Sequence, residues 1–384
     1  MDFEFATATR IIFGTGTISQ VGALASSVGE RALVVGGASG ERASRVGTLL
    51  AESGLFVERF SVNGEPTVGM VREGARLART HKFDLVVGIG GGSALDAGKA
   101  ISAMATNLGE IFDYLEVIGK GMPLSAPPLP FIAIPTTAGT GTEVTRNAVI
   151  GSPQHKVKVS IRHPLMLPKI ALIDPELTYS LPAQVTATSG MDALTQLIEP
   201  FTCNAPNPMV DALCLEGIDR SARSLRKAYE HPDDKNARND LSFASMLGGI
   251  ALANARLGGV HGFAGPIGGM SAAPHGAICA RLLPVVLEFN IRALEKRLPG
   301  AGPLKRYTQL AMLLTGEENC SPQDGIEWIY DLREALRIPA LRDYGLSEKD
   351  VDFLVEKSAQ ASSMKGNPIQ LTRQEMSEIL LRAL

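Results

Sequence analysis

The stretch Asp84-Leu-Val-Val-Gly-Ile-Gly-Gly-Gly-Ser-Ala-Leu-Asp-Ala-Gly-Lys99 decides the fold. Its first six residues, apolar after Asp84, read as a buried strand. Three consecutive glycines follow, and the helix opens at Ser93. Outward from it, Arg31–Gly36, Phe56–Val62, Phe131–Ile134, Lys156–Ile161 and Lys169–Ile173 read as further strands. Glu41–Ser53 and Thr67–Thr80 have helical spacing between them. Continuous apolar strands separated by helices argue for a parallel sheet covered on both faces. After Pro182 the rhythm changes. Ala183–Phe201, Met209–Tyr229, Leu241–Ala255, His275–Lys296, Leu304–Leu314 and Pro322–Leu336 show helical periodicity, and β-branched clusters nearly vanish. An α/β domain over residues 1–182 and an all-helical domain over residues 183–384 are expected, which suits 384 residues, a length for about two or three domains.

Composition narrows the function. Hydrophobic residues are 45%, charged residues 20% and the net charge is -3, which excludes a disordered or fibrous chain and leaves no basic excess for a nucleic-acid partner. Forty glycines beside one Trp and six Tyr point to tight backbone turns rather than an aromatic binding surface. The four cysteines, Cys203, Cys214, Cys279 and Cys320, show no CxxC pair and read as reduced, buried thiols. The N-terminal residues carry early acids and no basic flank, unlike a signal peptide, and no stretch holds 18 uninterrupted apolar residues. No membrane partner and a cytoplasmic location are the expectations.

Gly90-Gly-Gly92-Ser93 lies between strand and helix, where glycines let an anion approach the backbone and free N–H groups attract negative charge. The same glycines would also serve a plain tight turn. The segment is not a P-loop, because Gly92 to Gly98-Lys99 is one residue too long and Ala100 replaces Ser/Thr. Nor is it a Rossmann fingerprint, since it follows the third strand rather than the first. Pro135-Thr-Thr-Ala-Gly-Thr-Gly-Thr-Glu143 follows another strand and offers threonine hydroxyls to ribose and phosphate oxygens. Two such loops at carboxyl ends of strands favour a dinucleotide.

These residues carry a resemblance. Gly90-Gly-Gly-Ser-Ala-Leu-Asp-Ala-Gly-Lys99 and Ile134-Pro-Thr-Thr-Ala-Gly-Thr-Gly-Thr-Glu143 are similar to motifs of the iron-containing (group III) alcohol dehydrogenase family. Asp174-Pro-Glu-Leu-Thr178, Gly190-Met-Asp-Ala-Leu194 and Pro274-His275-Gly276 resemble its later landmarks, in order, so the resemblance covers nearly the whole chain. It implies a Rossmann-like NAD(P)-binding domain followed by an all-α domain, the dehydroquinate synthase-like architecture, with a metal in the cleft between them. A homodimer joined through N-terminal strands is implied in the same way.

Asp192 and Gln196 are four apart in an expected helix and share one face. His261 stands at the end of a helical stretch, before the glycine-rich segment from Gly262 to Gly269, and His275 opens the next helix after Pro274. One carboxylate and two imidazoles suit Zn²⁺ or Fe²⁺; helical histidines also serve as ordinary core residues. The resemblance implies a divalent metal held by one aspartate and three histidines, which map onto Asp192, Gln196, His261 and His275. Gln196 departs from that pattern, since an amide is a weaker ligand than imidazole. A further family histidine is replaced by Gly265. Glycerol dehydrogenases resemble a reduced version with one Asp and two His on zinc. Asp192, His261 and His275 are therefore the expected catalytic metal ligands, with Gln196 a weak or absent fourth.

The implied reaction moves a hydride between NAD or NADP and a small alcohol or aldehyde. Gly91, Gly92 and Ser93 are expected at the pyrophosphate, with Gly37 and Ser39 in the loop after the first apolar strand. By resemblance, Asp96, Thr136, Thr137, Thr140 and Thr142 line the nicotinamide and ribose, and Lys158 contacts the ribose. Asp96 also fits a first-turn acid, and Lys158 a solvated edge-strand charge. The first loop, Gly36-Gly-Ala-Ser-Gly40, carries no acid to repel a 2′-phosphate, and Arg42 and Arg45 follow; both also fit exposed helix charges. Phe263, Leu257, Met270 and Ile150 are apolar pocket candidates, while His81, His155, His163 and His231 receive no role. Three alternatives stay open: a metal-independent reductase resembling maleylacetate reductases, a lyase resembling dehydroquinate synthase, and a non-catalytic nucleotide-binding protein.

Overall fold

The computed structural model describes residues 2–155, 157–300 and 302–384, which divide into two compact units. One comprises residues Ala6–Thr137 and Gly141–Tyr179; the other comprises Met1–Phe5, Ala138–Thr140 and Ser180–Leu384. The first contains β1 (Arg10–Phe13), α1 (Val21–Ser26), β2 (Arg31–Gly37), α2 (Glu41–Glu52), β3 (Phe56–Val62), α3 (Val68–Thr80), β4 (Leu85–Gly90) and α4 (Gly92–Thr106). After these come α5 (Ile111–Tyr114), β5 (Phe131–Pro135), β6 (Asn147–Ser152), β7 (Val157–Arg162) and β8 (Ile170–Ile173). Six strands form one parallel sheet in the order β1-β8-β5-β4-β2-β3.

The strands are apolar throughout because both faces are covered. Leu33, Val35, Val86, Phe131 and Ala133 enter one core with residues of α3 and α4. Their neighbours Ala32, Val34, Leu85, Val87, Ile132 and Ile134 enter a second core with residues of α1 and α2. This is the alternation of a pleated strand, and each fully buried Val, Leu or Ile contributes about 1.5–3 kcal/mol. Helix α4 lies close to β4 because neither Gly88 nor Gly98 carries a side chain. A Cβ on either would come within 2.8 Å of the Phe131 ring.

The expected strand over Lys156–Ile161 is real but not part of that sheet. Lys156 lies outside the described residues, and β7 pairs only antiparallel with β6, a two-stranded hairpin beside α4. The polar alternation of Lys158 and Ser160 with Val159 and Ile161 marks it, since only one face is buried. Ile150 of β6 belongs to the α/β core and is no pocket residue.

Lys99 ties this hairpin to the sheet. Its side chain is fully buried on α4, and Nζ donates to the carbonyl oxygens of Thr142, Thr145 and Asn147 at 2.8–2.9 Å and to the Thr145 hydroxyl at 3.0 Å. Burial pulls its pKa down to about 8, against the opposing pull of Asp96 and Glu143. Burial also pushes Asp96 up to about 6 and Glu143 up to about 7.

The second unit is helical: α6 (Ala183–Thr202), α7 (Pro208–Glu230), α8 (Lys235–Asn254), α9 (Gly259–Met270), α10 (His275–Arg297), α11 (Gly302–Thr315), α12 (Pro322–Ala335), α13 (Val351–Gln360) and α14 (Arg373–Ala383). Helix α6 is its centre, packed by α7, α8 and α10. Nearly every residue from Thr186 to Thr202 is buried, so α6 has no polar face of its own to give to solvent. Among the described residues no single helix is long and apolar enough to cross a membrane.

Glu143 makes the α/β unit pH-sensitive in a defined direction. The native state holds its proton to about pH 7, whereas an unfolded glutamate releases it near 4.5. Native protein therefore binds more protons in that window, and stability falls as pH rises through it. The unfolding free energy of wild type minus that of Glu143→Gln, from urea titrations, is expected to decline between pH 4.5 and 7. A flat difference would contradict this.

Candidate metal centre and nucleotide loops

Helix α6 supplies three side chains at helical spacing: Asp192, Gln196 and Glu199 share one face. Helix α10 begins at His275 because Pro274 sets its N-terminal boundary, and Gly276 follows. A Cβ at Gly276 would lie 2.1 Å from the Thr188 carbonyl oxygen, so only glycine lets the start of α10 rest against α6. That contact brings His275 Nε2 to 3.6 Å from Asp192 Oδ1. His261 comes from the first turn of α9, with Nε2 3.7 Å from the same oxygen. The glycine-rich stretch expected to follow a helix is instead part of α9, where Pro266 and five glycines are held by packing rather than by propensity. Gly262, for instance, abuts Met364.

The arrangement leaves three buried polar atoms without a hydrogen-bond partner: Asp192 Oδ1, His261 Nε2 and Gln196 Oε1. Buried polar groups are nearly always satisfied, and an isolated buried carboxylate is far from stable. Asp192 Oδ1 and His261 Nε2, 3.7 Å apart, with His275 Nε2 3.6 Å from the same oxygen, fit a cation, whose lone-pair donors they would be. Cys279, one turn after His275 on α10, completes a group of four ligand atoms from Asp192, His261, His275 and Cys279, all within 4.8 Å of one another. The His275 side chain keeps 44% of its surface accessible, against 3% for Asp192 and 7% for His261, so the cluster is reachable from that side.

Glu199 is the residue that sequence reading missed. Its Oε2 lies 2.6 Å from His261 Nδ1, and Oε1 accepts from the Val260 backbone N–H at 2.6 Å. A carboxylate on Nδ1 fixes the ring and its tautomer and directs Nε2 toward Asp192. Burial alone would lower the His261 pKa, but Asp192 and Glu199 outweigh it and raise it to about 9. For Asp192, burial pushes upward, yet the two histidines prevail and hold the carboxyl below its usual range. Burial, with Asp192 and Glu199 nearby, raises the Cys279 thiol well above its ordinary value; a bound cation reverses that logic. The four described cysteines are all free.

Gly37, Gly91, Gly92, Ser93, Thr136 and Thr137 lie at the carboxyl ends of β2, β4 and β5, where the chain's switch from β3 across to β4 splits the strand order, while Lys158 lies in β7. Gly36 pairs with Ile89, Gly90 with Pro135, and the Thr136 N–H donates to the Gly90 carbonyl at 2.9 Å. Gly90 has φ of 150°, which favours glycine, and Gly91 caps α4 so that Gly92 and Ser93 open the helix. A Cβ on Gly91 would come within 3.3 Å of the Thr137 methyl. Gly37 ends β2, Ser39 follows it, and Thr142 is buried. Asp96 is no exposed first-turn acid: it is 8% exposed, Oδ2 accepts from the Val149 N–H at 3.1 Å, and Oδ1 has no partner. Lys158 pairs with Glu65 at 3.3 Å. Thr140 falls in the helical unit, unlike the other candidates. Of the apolar pocket candidates, Phe263 is fully buried and Met270 is 44% exposed.

Residues 8–175 match the family model described as iron-containing alcohol dehydrogenase, and residues 186–384 match that of the Fe-containing alcohol dehydrogenase family, C-terminal. The chain belongs to the iron-containing alcohol dehydrogenase family. It is accordingly an oxidoreductase acting on CH–OH groups. Alcohol dehydrogenase 4 of Saccharomyces cerevisiae (strain YJM789) is 36% identical over 341 residues, covering 88% of this chain and 86% of that protein. The crystal structure of a 1,3-propanediol oxidoreductase superposes with a TM-score of 0.92 at 32% identity, covering 100% of both chains. That of sulfoacetaldehyde reductase from Bifidobacterium kashiwanohense, in complex with NAD+, gives 0.87 at 26% identity, covering 100% of this chain and 99% of that one. The family and fold expected from the glycine and threonine loops are thus borne out.

Glu199→Gln is expected to weaken Zn²⁺ binding by about 10–100-fold, since it removes the charge that orients His261. Competition against a chromophoric chelator measures it. An unchanged affinity would show that other groups orient the ring.

Proposed function

We propose that the chain is a metal-dependent, NAD(P)-linked alcohol dehydrogenase and aldehyde reductase acting on small alcohols or aldehydes. The single observation carrying this reading is the convergence of Asp192 Oδ1 and His261 Nε2, buried and unpartnered, with His275 Nε2. Asp192, His261 and His275 would hold one divalent cation, Zn²⁺ or Fe²⁺. The Gln196 amide oxygen, buried on the same face of α6, stands by as a weaker donor. Bound in their sites, the cation supplies Lewis acidity for the substrate oxygen and the nicotinamide accepts or donates the hydride.

This chain's own residues do the positioning. Asp192 provides the negative charge that offsets the cation in a buried setting, and Glu199 keeps His261 in the tautomer whose Nε2 lone pair faces Asp192. The free N–H groups at Gly92 and Ser93, with Gly91 beside them, suit a pyrophosphate at a helix N-terminus. Gly37 and Ser39 border the same strand ends. Asp96, through its unpartnered Oδ1, suits a hydroxyl donor such as a ribose or amide group, with Thr136, Thr137, Thr140, Thr142 and Lys158 as further contacts. Gly265 leaves no ring to relay a proton; a Cβ there would meet no atom within 4 Å, so space for water or substrate remains. The Gly36–Gly40 loop at the end of β2 carries no acid, which admits NADP as well as NAD, and a homodimer remains part of the proposal.

A metal-independent reductase is disfavoured by the retained Asp192 in contact range of both imidazoles. Zn²⁺- or Fe²⁺-loaded protein is expected to oxidise NADH or NADPH continuously with short-chain aldehydes. His261→Ala is expected to lower kcat/KM by at least about 10³-fold, equivalent to about 4 kcal/mol of transition-state stabilisation. Comparing kcat/KM for the two cofactors assigns the preference. Turnover that survives both chelation and His261→Ala would overturn the metal-dependent reading.

A further inference from the structure

Cys279 sits where a soft ligand belongs. It is fully buried on α10, one helical turn beyond His275, with Sγ 3.6 Å from His275 Nε2. Its sulfur shares the 4.8 Å cluster with Asp192, His261 and His275, and the unpartnered Asp192 Oδ1 and His261 Nε2 aim into that cluster. Cys203 and Cys214 lie elsewhere in the helical unit, beside Asp211 and Arg306.

Three distances within the cluster can be compared with the edges of a tetrahedral ion. Bonds of about 2.0–2.1 Å to nitrogen and oxygen and about 2.3 Å to sulfur give tetrahedral edges of about 3.3–3.6 Å. The three measured edges are 3.6 Å from His275 to Asp192, 3.7 Å from His261 to Asp192 and 3.6 Å from His275 to Cys279. Right-angled octahedral edges would be shorter, about 3 Å for the same bonds. These three edges reach tetrahedral values after a slight contraction, and the remaining pairs of ligand atoms lie within 4.8 Å.

We propose that Cys279 is a thiolate ligand of this centre, making it an Asp/His/His/Cys site that selects zinc over iron. The proposal rests on the metal-dependent reading and deepens it. Cys279 restores the count of four strong ligands that Gln196, an amide, leaves short. Sulfur is a soft donor, and exchanging an imidazole for a thiolate moves the preference toward Zn²⁺ and away from Fe²⁺. On binding, the cation forms a bond to Sγ and the thiol proton passes to solvent, with no change of oxidation state. With four protein ligands, such a centre would admit a substrate oxygen only as a fifth ligand, which zinc permits.

The test uses the full-length protein, stripped and reloaded with one equivalent of metal. X-ray absorption at the zinc edge should show one sulfur scatterer at about 2.3 Å beside nitrogen and oxygen at about 2.0–2.1 Å. The cobalt-loaded protein should show a thiolate-to-cobalt charge-transfer band that Cys279→Ser abolishes. Loading with equal Zn²⁺ and Fe²⁺ should leave zinc in excess, in a ratio that falls at least about tenfold in Cys279→Ser. Stoichiometric zinc with nitrogen and oxygen neighbours alone would overturn the cysteine ligand and leave the metal centre standing. Failure of wild type to retain either metal would overturn the centre itself. The absorption measurement is made on wild type, so a folding defect in Cys279→Ser does not blunt it.

Discussion

One buried carboxylate oxygen sets the terms for the helical unit. Asp192 lies in the middle of α6, nearly without solvent exposure, and its Oδ1 has no hydrogen-bond donor. Such a charge is tolerated only when something positive stands beside it. Two imidazoles from α9 and α10 are turned toward it, and the backbone is shaped to bring them there. Gly276 removes the side chain that would strike the Thr188 carbonyl, and Glu199 anchors the opposite edge of the His261 ring. Without a cation, the His261 imidazole, whose pKa Asp192 and Glu199 raise to about 9, carries the compensating proton. Proton and metal thus compete for the same lone pair.

The α/β unit solves a parallel problem with a fixed charge. Lys99 spends its three ammonium hydrogens on backbone and hydroxyl oxygens of the 142–147 segment, which joins the threonine loop to the hairpin. Desolvation weakens its hold on a proton, and Asp96 and Glu143 restore part of it. The same helix presents its N-terminus at the end of β4. A single element therefore both orders the threonine segment and opens the anion-binding turn, which explains why glycine, aspartate and lysine occur together along residues 90–99.

Most of the sheet was legible because parallel strands buried on both faces leave an uninterrupted apolar signature, as in Arg31–Gly37 and Leu85–Gly90. β1 and β6 were not read: Arg10–Phe13 has only four residues, and in Asn147–Ser152 the short apolar run is flanked by Asn, Gly and Ser. The antiparallel pairing of β7 was likewise invisible, since pairing partners are a long-range matter. Asp192, Gln196, His261 and His275 stood out as residue types. Glu199 did not, although it follows Asp192 by seven positions, because a lone acid in an apolar helix gives no hint of the imidazole it meets from α9. Cys279 was read as a core thiol, and its four-residue spacing from His275 gained meaning only when α6 was placed beside α10. Ile150 was misjudged because apolar character does not separate pocket lining from core.

Everything at this centre depends on Asp192, His261 and His275 converging on a single cation. Anomalous difference maps recorded on either side of the zinc absorption edge, from crystals grown with one equivalent of Zn²⁺, locate it directly. One peak at about 2.0–2.2 Å from Asp192 Oδ1, His261 Nε2 and His275 Nε2 is the expected result. A fully ordered site without a peak, or zinc bound only at other residues, would contradict it.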